Sequence, residues 1–211
     1  MSSEPRTAVK RQGSRGARVQ GGSRRFGASS PRRLRALLLC AVVLSSAFEL
    51  AEAGTAADPM QALGLQAPNE PVAAPEFSLS DLAGKKVQLK ALRGNLVFLN
   101  FFATWCGPCR EEMPGMERMF RTHQDKGLVV LAVNMEENAK TVRPFVQQLK
   151  LSFPIVLDTE GAVTRDYGVR ALPVSFLIGR DGHIRWRAIG GRDWESAQAR
   201  KLFAQLVAEK K

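Results

Sequence analysis

Residues 95–103, NLVFLNFFA, constrain the fold more than any other stretch of this chain. The run is almost continuously apolar and rich in Val, Leu and Phe. A strand with one face in water alternates apolar and polar residues. A run without that alternation fits a strand buried on both faces. Such a strand needs a packed layer on each side of its sheet, which points to an α/β architecture. Leu128–Val133 (LVVLAV) repeats the signal. Between the two, Cys109, Met113, Met116 and Phe120 recur at the spacing of one helix face.

The rest of the pattern extends this alternation. FSLSDLAGKKVQL, from Phe77, reads as a strand or short helical turn, a turn at Ala83-Gly84 and a strand. Val142, Phe145, Val146 and Leu149 give another helical face. Thr141 is its expected N-cap, which puts Pro144 in the first turn, where a missing N–H does no harm. Pro154–Leu157 reads as a short strand and Gly161–Tyr167 as a short helix stopped by Gly168. Val174–Ile178 and His183–Ala188 form a hairpin through Arg180-Asp181-Gly182. Trp194, Ala197, Leu202, Phe203, Leu206 and Val207 line a closing helix capped by Asp193. The order β-β-α-β-α-β-α-β-β-α predicts a mixed central sheet covered on both faces by helices.

The formal net charge of +11 is unevenly spread. Residues 1–35 hold ten Lys/Arg and one acid, Glu4, whereas the rest holds 21 basic and 19 acidic groups. A nucleic-acid reader carries its basic patch on the folded domain, so that class is set aside. After Arg32, Arg33 and Arg35 comes the apolar run 36–48, too short to span a bilayer comfortably and the length of a signal-peptide core. Ala51 and Ala53 form an A-x-A site, with cleavage expected after Ala53, although the run also suits a short uncleaved anchor. This predicts a basic n-region and signal over 1–53, a Pro/Ala/Gly-rich linker and lead-in over 54–76, a domain over 77–211, and export to the periplasm.

Cleavage would remove Cys40 and leave Cys106 and Cys109 as the exported cysteines. Structural zinc wants four ligands, and His123 and His183 have no ligand spacing to the pair and read as surface residues. A disulfide closing so short a loop removes little unfolded-state entropy, so a structural staple explains little. A reactive dithiol explains more. Cys106 follows a buried strand and opens a helix, whose free N–H groups and partial positive charge stabilise a thiolate. Cys109, one turn on, lies on the inward face. Gly107 and Pro108 shape the turn between them.

NFFATWCGPCREEMP resembles the active-site segment of TlpA- and ResA-like thiol–disulfide oxidoreductases of the thioredoxin-fold superfamily. The resemblance covers Phe77 to the C-terminus. It implies a thioredoxin-like fold, a central mixed sheet flanked by helices with an N-terminal β-hairpin extension. EENAKTVRPFVQQLKLSFP resembles the helical insertion of this branch. Pro114 matches the proline within the active-site helix. ALPVSFLIGRDGHI matches the family's cis-proline loop, which makes Pro173 the cis-proline and gives the Leu172 backbone to an incoming peptide. Trp105, Gly107 and Pro108 are the implied substrate contacts beside it. Glu112 stands where ResA-like members carry an active-site glutamate. It reads either as the proton carrier of Cys109 or as a solvated helix-surface carboxylate. Thioredoxin has a buried aspartate six residues before its first cysteine, and here that position is Asn100.

The resemblance implies a reductase of protein disulfides, with no cofactor and no metal. A membrane thiol protein would supply electrons. Implied substrates are apocytochrome c haem-binding cysteines or copper-site cysteines of respiratory oxidases. Val174 follows Pro173 where cytochrome-maturation members often carry glutamate. Two alternatives are weighed: a Cu(I)-delivery chaperone using both thiolates, and a thiol peroxidase. Copper chaperones on this fold usually add a histidine, and neither histidine is placed for it. Peroxidases use a lone cysteine with an upstream Pro and Thr, and no proline occurs between Asn95 and Cys106.

Overall fold

The computed structural model describes residues 58–209. The expected n-region, signal core, Cys40 and cleavage site lie outside the described residues. The elements follow in the order α1 (Pro59–Ala62), β1 (Val72–Ala73), β2 (Ser78–Asp81), β3 (Lys86–Gln88), β4 (Leu96–Phe102), α2 (Gly107–His123), β5 (Leu128–Met135), α3 (Ala139–Leu149), β6 (Ile155–Asp158), α4 (Ala162–Asp166), β7 (Val174–Ile178), β8 (His183–Ile189) and α5 (Ala197–Ala208), with a 3-10 turn at Leu89–Leu92 before β4. The strands form one mixed sheet in the order β1-β8-β7-β4-β5-β6-β2-β3. β4 lies at its centre, parallel to β5 and antiparallel to β7. The expected α/β class and mixed sheet are as observed.

Every residue of β4 is buried, as its unbroken apolar run requires. Its side chains alternate between two cores. Leu96, Phe98 and Phe102 face α2, α3 and α5, where Met113, Met116, Phe145, Trp186, Trp194 and Phe203 complete one cluster. Val97, Leu99 and Phe101 face a smaller cluster with Phe77, Val163, Tyr167 and Phe176. Full burial of each such side chain contributes roughly 1.5–3 kcal/mol. The sheet is therefore a stiff platform for the loop that leaves the end of β4.

FSLSDLAGKKVQL forms a strand, a turn and a strand, one of its two expected forms, and the hairpin pairs with β6. Several other local expectations are corrected. Within the expected linker and lead-in over 54–76, much of 58–76 packs onto the domain. β1 pairs with β8, Leu63 and Ala74 are buried, and α1 packs on α5. The apolar side chains scattered among the prolines are what hold it down. Asn138, not Thr141, caps α3, accepting the N–H groups of Lys140 and Thr141. Pro144 therefore falls inside the helix, where Lys140, the residue that loses a bonding partner, is exposed. Ser196, not Asp193, caps α5. Trp194 is drawn into the core against Phe98 (4.8 Å) and Trp186 (6.1 Å), which keeps 193–196 out of the helix. His123 is buried at the end of α2 and not a surface residue.

Candidate functional site: a dithiol beside a buried glutamate

β4 ends at Phe102, and the chain turns through Thr104 and Trp105 into α2. Cys106 is the N-cap of α2, with extended backbone, and its Sγ accepts the Cys109 N–H at 3.2 Å. A sulfur at this position meets the unpaired N–H groups and the positive end of the helix. Cys106 and Cys109 are joined as a disulfide. Cys109 is wholly buried, while Gly107 and Pro108 lie in water. Trp105 is 69% exposed, the largest apolar side chain left in solvent beside the pair. Pro114 lies within α2. The Leu172–Pro173 peptide bond is cis, Pro173 is buried and Leu172 half-buried.

Glu112 is 4% exposed, which removes the solvated-surface reading. Its Oε1 accepts Asn100 Nδ2 at 2.8 Å. Its Oε2 accepts the Arg192 main-chain N–H and the Trp194 indole N–H, both at 3.1 Å. Burial pushes its pKa from 4.5 up to about 7, and the Arg192 N–H, Asn100, Trp194 and the Arg192 charge pull against it. Asn100 Nδ2 also reaches Ser175 Oγ on β7, at 3.0 Å. The carboxylate thus joins β4, α2, β7 and the loop before α5. It lines a cavity of about 410 Å³ with Pro108, Glu111, Arg118, Arg192 and Asp193.

A second carboxylate holds the cysteine loop. Glu137, just past β5, accepts the Thr104 N–H (2.7 Å), the Thr104 hydroxyl (2.5 Å) and Asn134 Nδ2 (2.7 Å). Bonds to a charged acceptor each contribute about 1.5–3 kcal/mol. Glu137→Ala is expected to cost ~2–3 kcal/mol, read by urea denaturation, and to loosen the Trp105 turn.

Comparison with known proteins fits this geometry. The model of the AhpC/TSA family matches residues 72–187. The thiol-disulfide oxidoreductase ResA of Bacillus thuringiensis subsp. konkukian is 38% identical over 148 residues, 70% of this chain and 80% of that protein. A ResA of Bacillus cereus is 37% identical over 162 residues, 77% of this chain and 88% of that one. Among solved structures, a thiol:disulfide interchange protein DsbE from Chlorobium tepidum superposes with TM-score 0.62 at 32% identity, over 66% of this chain and 99% of that one.

The chain is a ResA-like thiol–disulfide oxidoreductase of the AhpC/TSA family.

Within this family the structure brings Cys106, Cys109 and Glu112 together on one end of α2. Trp105, Gly107 and Pro108 flank them on the outer side. Pro173 joins through the loop at 190–193, since its carbonyl accepts the Gly190 N–H at 2.8 Å and Gly191 lies against Pro108. Gly190 has φ +86°, a conformation that suits glycine. Sequence reasoning missed Glu137, Asn134, Ser175, Arg192 and Trp194. No short spacing connects them to the cysteines. They meet because the sheet order places the ends of β4, β5, β7 and β8 together. The one legible signal was position: Glu137 follows the C-terminal end of a buried parallel strand, where α/β folds gather functional groups.

Proposed function

We propose that this protein is an exported reductase of protein disulfides in which Cys106 attacks, Cys109 resolves and Glu112 takes and returns the proton of Cys109. The thiolate of Cys106 attacks a substrate disulfide and forms a mixed disulfide, releasing one substrate thiolate. Cys109, deprotonated, then attacks Cys106 Sγ, and the second substrate sulfur leaves reduced. The enzyme ends oxidised and needs two electrons from an outside thiol donor, for which we assign a membrane thiol protein. The observation that carries this reading is the buried Glu112, one helical turn beyond a buried Cys109 and held near neutral pKa. A carboxylate with that pKa is half ionised at neutral pH and exchanges a proton with little driving force either way. It takes the place that Asn100, an amide, cannot fill.

Trp105, Gly107, Pro108, Leu172 and Pro173 are assigned to substrate contact, with Trp105 offering an exposed ring. The compartment is the periplasm, reached through the basic and apolar segment at the N-terminus. Among the described residues no helix is long and apolar enough to cross a membrane. The substrates we assign are the haem-binding cysteines of apocytochrome c or the copper-site cysteines of respiratory oxidases. Equilibration of the 106–109 pair with dithiothreitol or glutathione buffers tests the direction. A potential near thioredoxin's, about −270 mV, is expected. A potential near that of DsbA, about −120 mV, would make the protein an oxidant and overturn the assignment.

A further inference from the structure

The loop at 190–193 meets Pro173, Pro108 and Glu112, yet it is a short connection with two glycines and no regular structure. Something must hold it. The Arg192 side chain is bound entirely to main-chain carbonyls. Its Nε donates to Leu63 O at 2.8 Å, and its Nη1 donates to Gly190 O at 3.1 Å and Gly191 O at 3.0 Å. The first is a bond across 129 residues, to the C-cap of α1. Carbonyls at a helix end lack intrahelical partners, and an arginine fork is suited to gather several at once. α1 is itself fixed, since it packs on α5 and Leu63 is buried.

We propose that Arg192 is a positioning residue: its guanidinium latches the 190–193 loop onto the lead-in at Leu63 and so holds the Arg192 main-chain N–H on Glu112. The side chain and the main chain of one residue act in opposite directions from the loop, one outward to α1 and one inward to the carboxylate. Its charge also faces Glu112, so the fork and the charge must be separated by experiment. The lead-in segment, which connects the domain to the upstream chain, thereby becomes part of the support of the proton carrier. This inference rests on the reading of Glu112 as that carrier for its functional meaning, but the latch itself is testable without it.

The test is the titration of the Glu112 side-chain carboxyl by carbon NMR in the oxidised full chain, with the signal assigned by its loss in Glu112→Gln. Arg192→Ala removes charge and fork together. Arg192→Lys keeps the charge and most of the length, but its donors all sit on one terminal nitrogen, with none where Nε meets Leu63 O while Nη1 meets Gly190 O and Gly191 O. Glu111, Arg118 and Asp193, the other charged groups in the same cavity, are unchanged in each variant, as are Asn100 and Ser175 from the sheet. The latch predicts that both variants raise the Glu112 midpoint by about one pH unit, the worth of one weakened bond to a charged acceptor. A shift in Arg192→Ala alone would assign the effect to charge and overturn the latch. An unmoved midpoint in both would overturn it as well. Disulfide exchange rates across the same pH range are recorded in parallel. Rates indifferent to Glu112→Gln would sink the proton-carrier reading and leave the latch to stand or fall on the titration.

Discussion

Cys109→Ser is expected to leave the protein covalently attached to its substrates, and Cys106→Ser to leave it inert. Cys106 caps α2 with its sulfur toward the helix N–H groups, so it is the thiol whose anion the fold stabilises. A serine hydroxyl there is un-ionised at neutral pH, and reduction of a model protein disulfide should fall at least ~10³-fold, the scale of losing an enzyme's nucleophile. Cys109 has no exposed surface, against 6% for Cys106, so it is the less able to meet a protein disulfide, and it is placed one turn from Cys106. Its loss removes the second step only. Mixed disulfides with Cys106 should therefore accumulate and appear on non-reducing gels as species that dithiothreitol dissolves. The variant also separates the rival chemistries. A peroxidase built on a lone Cys106 would keep consuming peroxide, and a Cu(I) carrier would lose its metal without trapping any protein. Substrates trapped on Cys109 in the Cys106→Ser variant would reverse the two roles.

The fold was legible because its signals are local. The unbroken apolar run at 95–103 became the fully buried β4, and the Cys109-Met113-Met116 spacing became the inward face of α2. The proposed attacking and resolving positions rest on the same two elements. What stayed hidden depends on contacts far apart in sequence. Glu112 follows Cys109 by three residues and precedes Met116 by four, so helix spacing puts it on the inward side and leaves Glu111 exposed, but that spacing does not say what covers the carboxylate. Burial of Glu112 is decided by Trp194 and Arg192, about eighty residues away, which close over it from the loop before α5. Trp194 read as a helix residue because its apolar spacing suits α5. It is instead the plug that joins the aromatic core at Phe98 to the carboxylate. The packing of the lead-in stayed hidden for a related reason. Its Pro/Ala/Gly composition describes its backbone, whereas Leu63 and Ala74 decide where it sits.

Glu112→Gln should make the protein more stable at neutral pH and slower at its reaction. The carboxyl has its folded pKa raised from 4.5 to about 7. Below 4.5 both folded and unfolded chains hold the proton. As pH rises from there, the unfolded chain releases it first, the folded chain retains it, and folding stability declines until about 7. The stabilising contribution is thus present below the ordinary value and lost as pH rises through about 7, a change of about 3 kcal/mol. A glutamine cannot ionise, so urea denaturation of the variant should show this slope abolished and a gain of about 2–3 kcal/mol at pH 8. The pocket has a device that admits a neutral group. Asn100 Oδ1 is buried without a partner among the described residues, while Nδ2 faces both Glu112 and Ser175. Turning the amide over presents Oδ1 to a protonated Glu112, or to the glutamine N–H, and the Ser175 hydroxyl rotates to donate to it. The same substitution removes the proposed proton acceptor of Cys109, and on that proposal the resolving step should slow by roughly 10²-fold, with its pH dependence near 7 gone. Gain of stability together with loss of rate would mark Glu112 as a group the fold tolerates at a cost because the dithiol uses it. Loss of both would make it a structural hydrogen-bond acceptor, and the proton of Cys109 would then need another route.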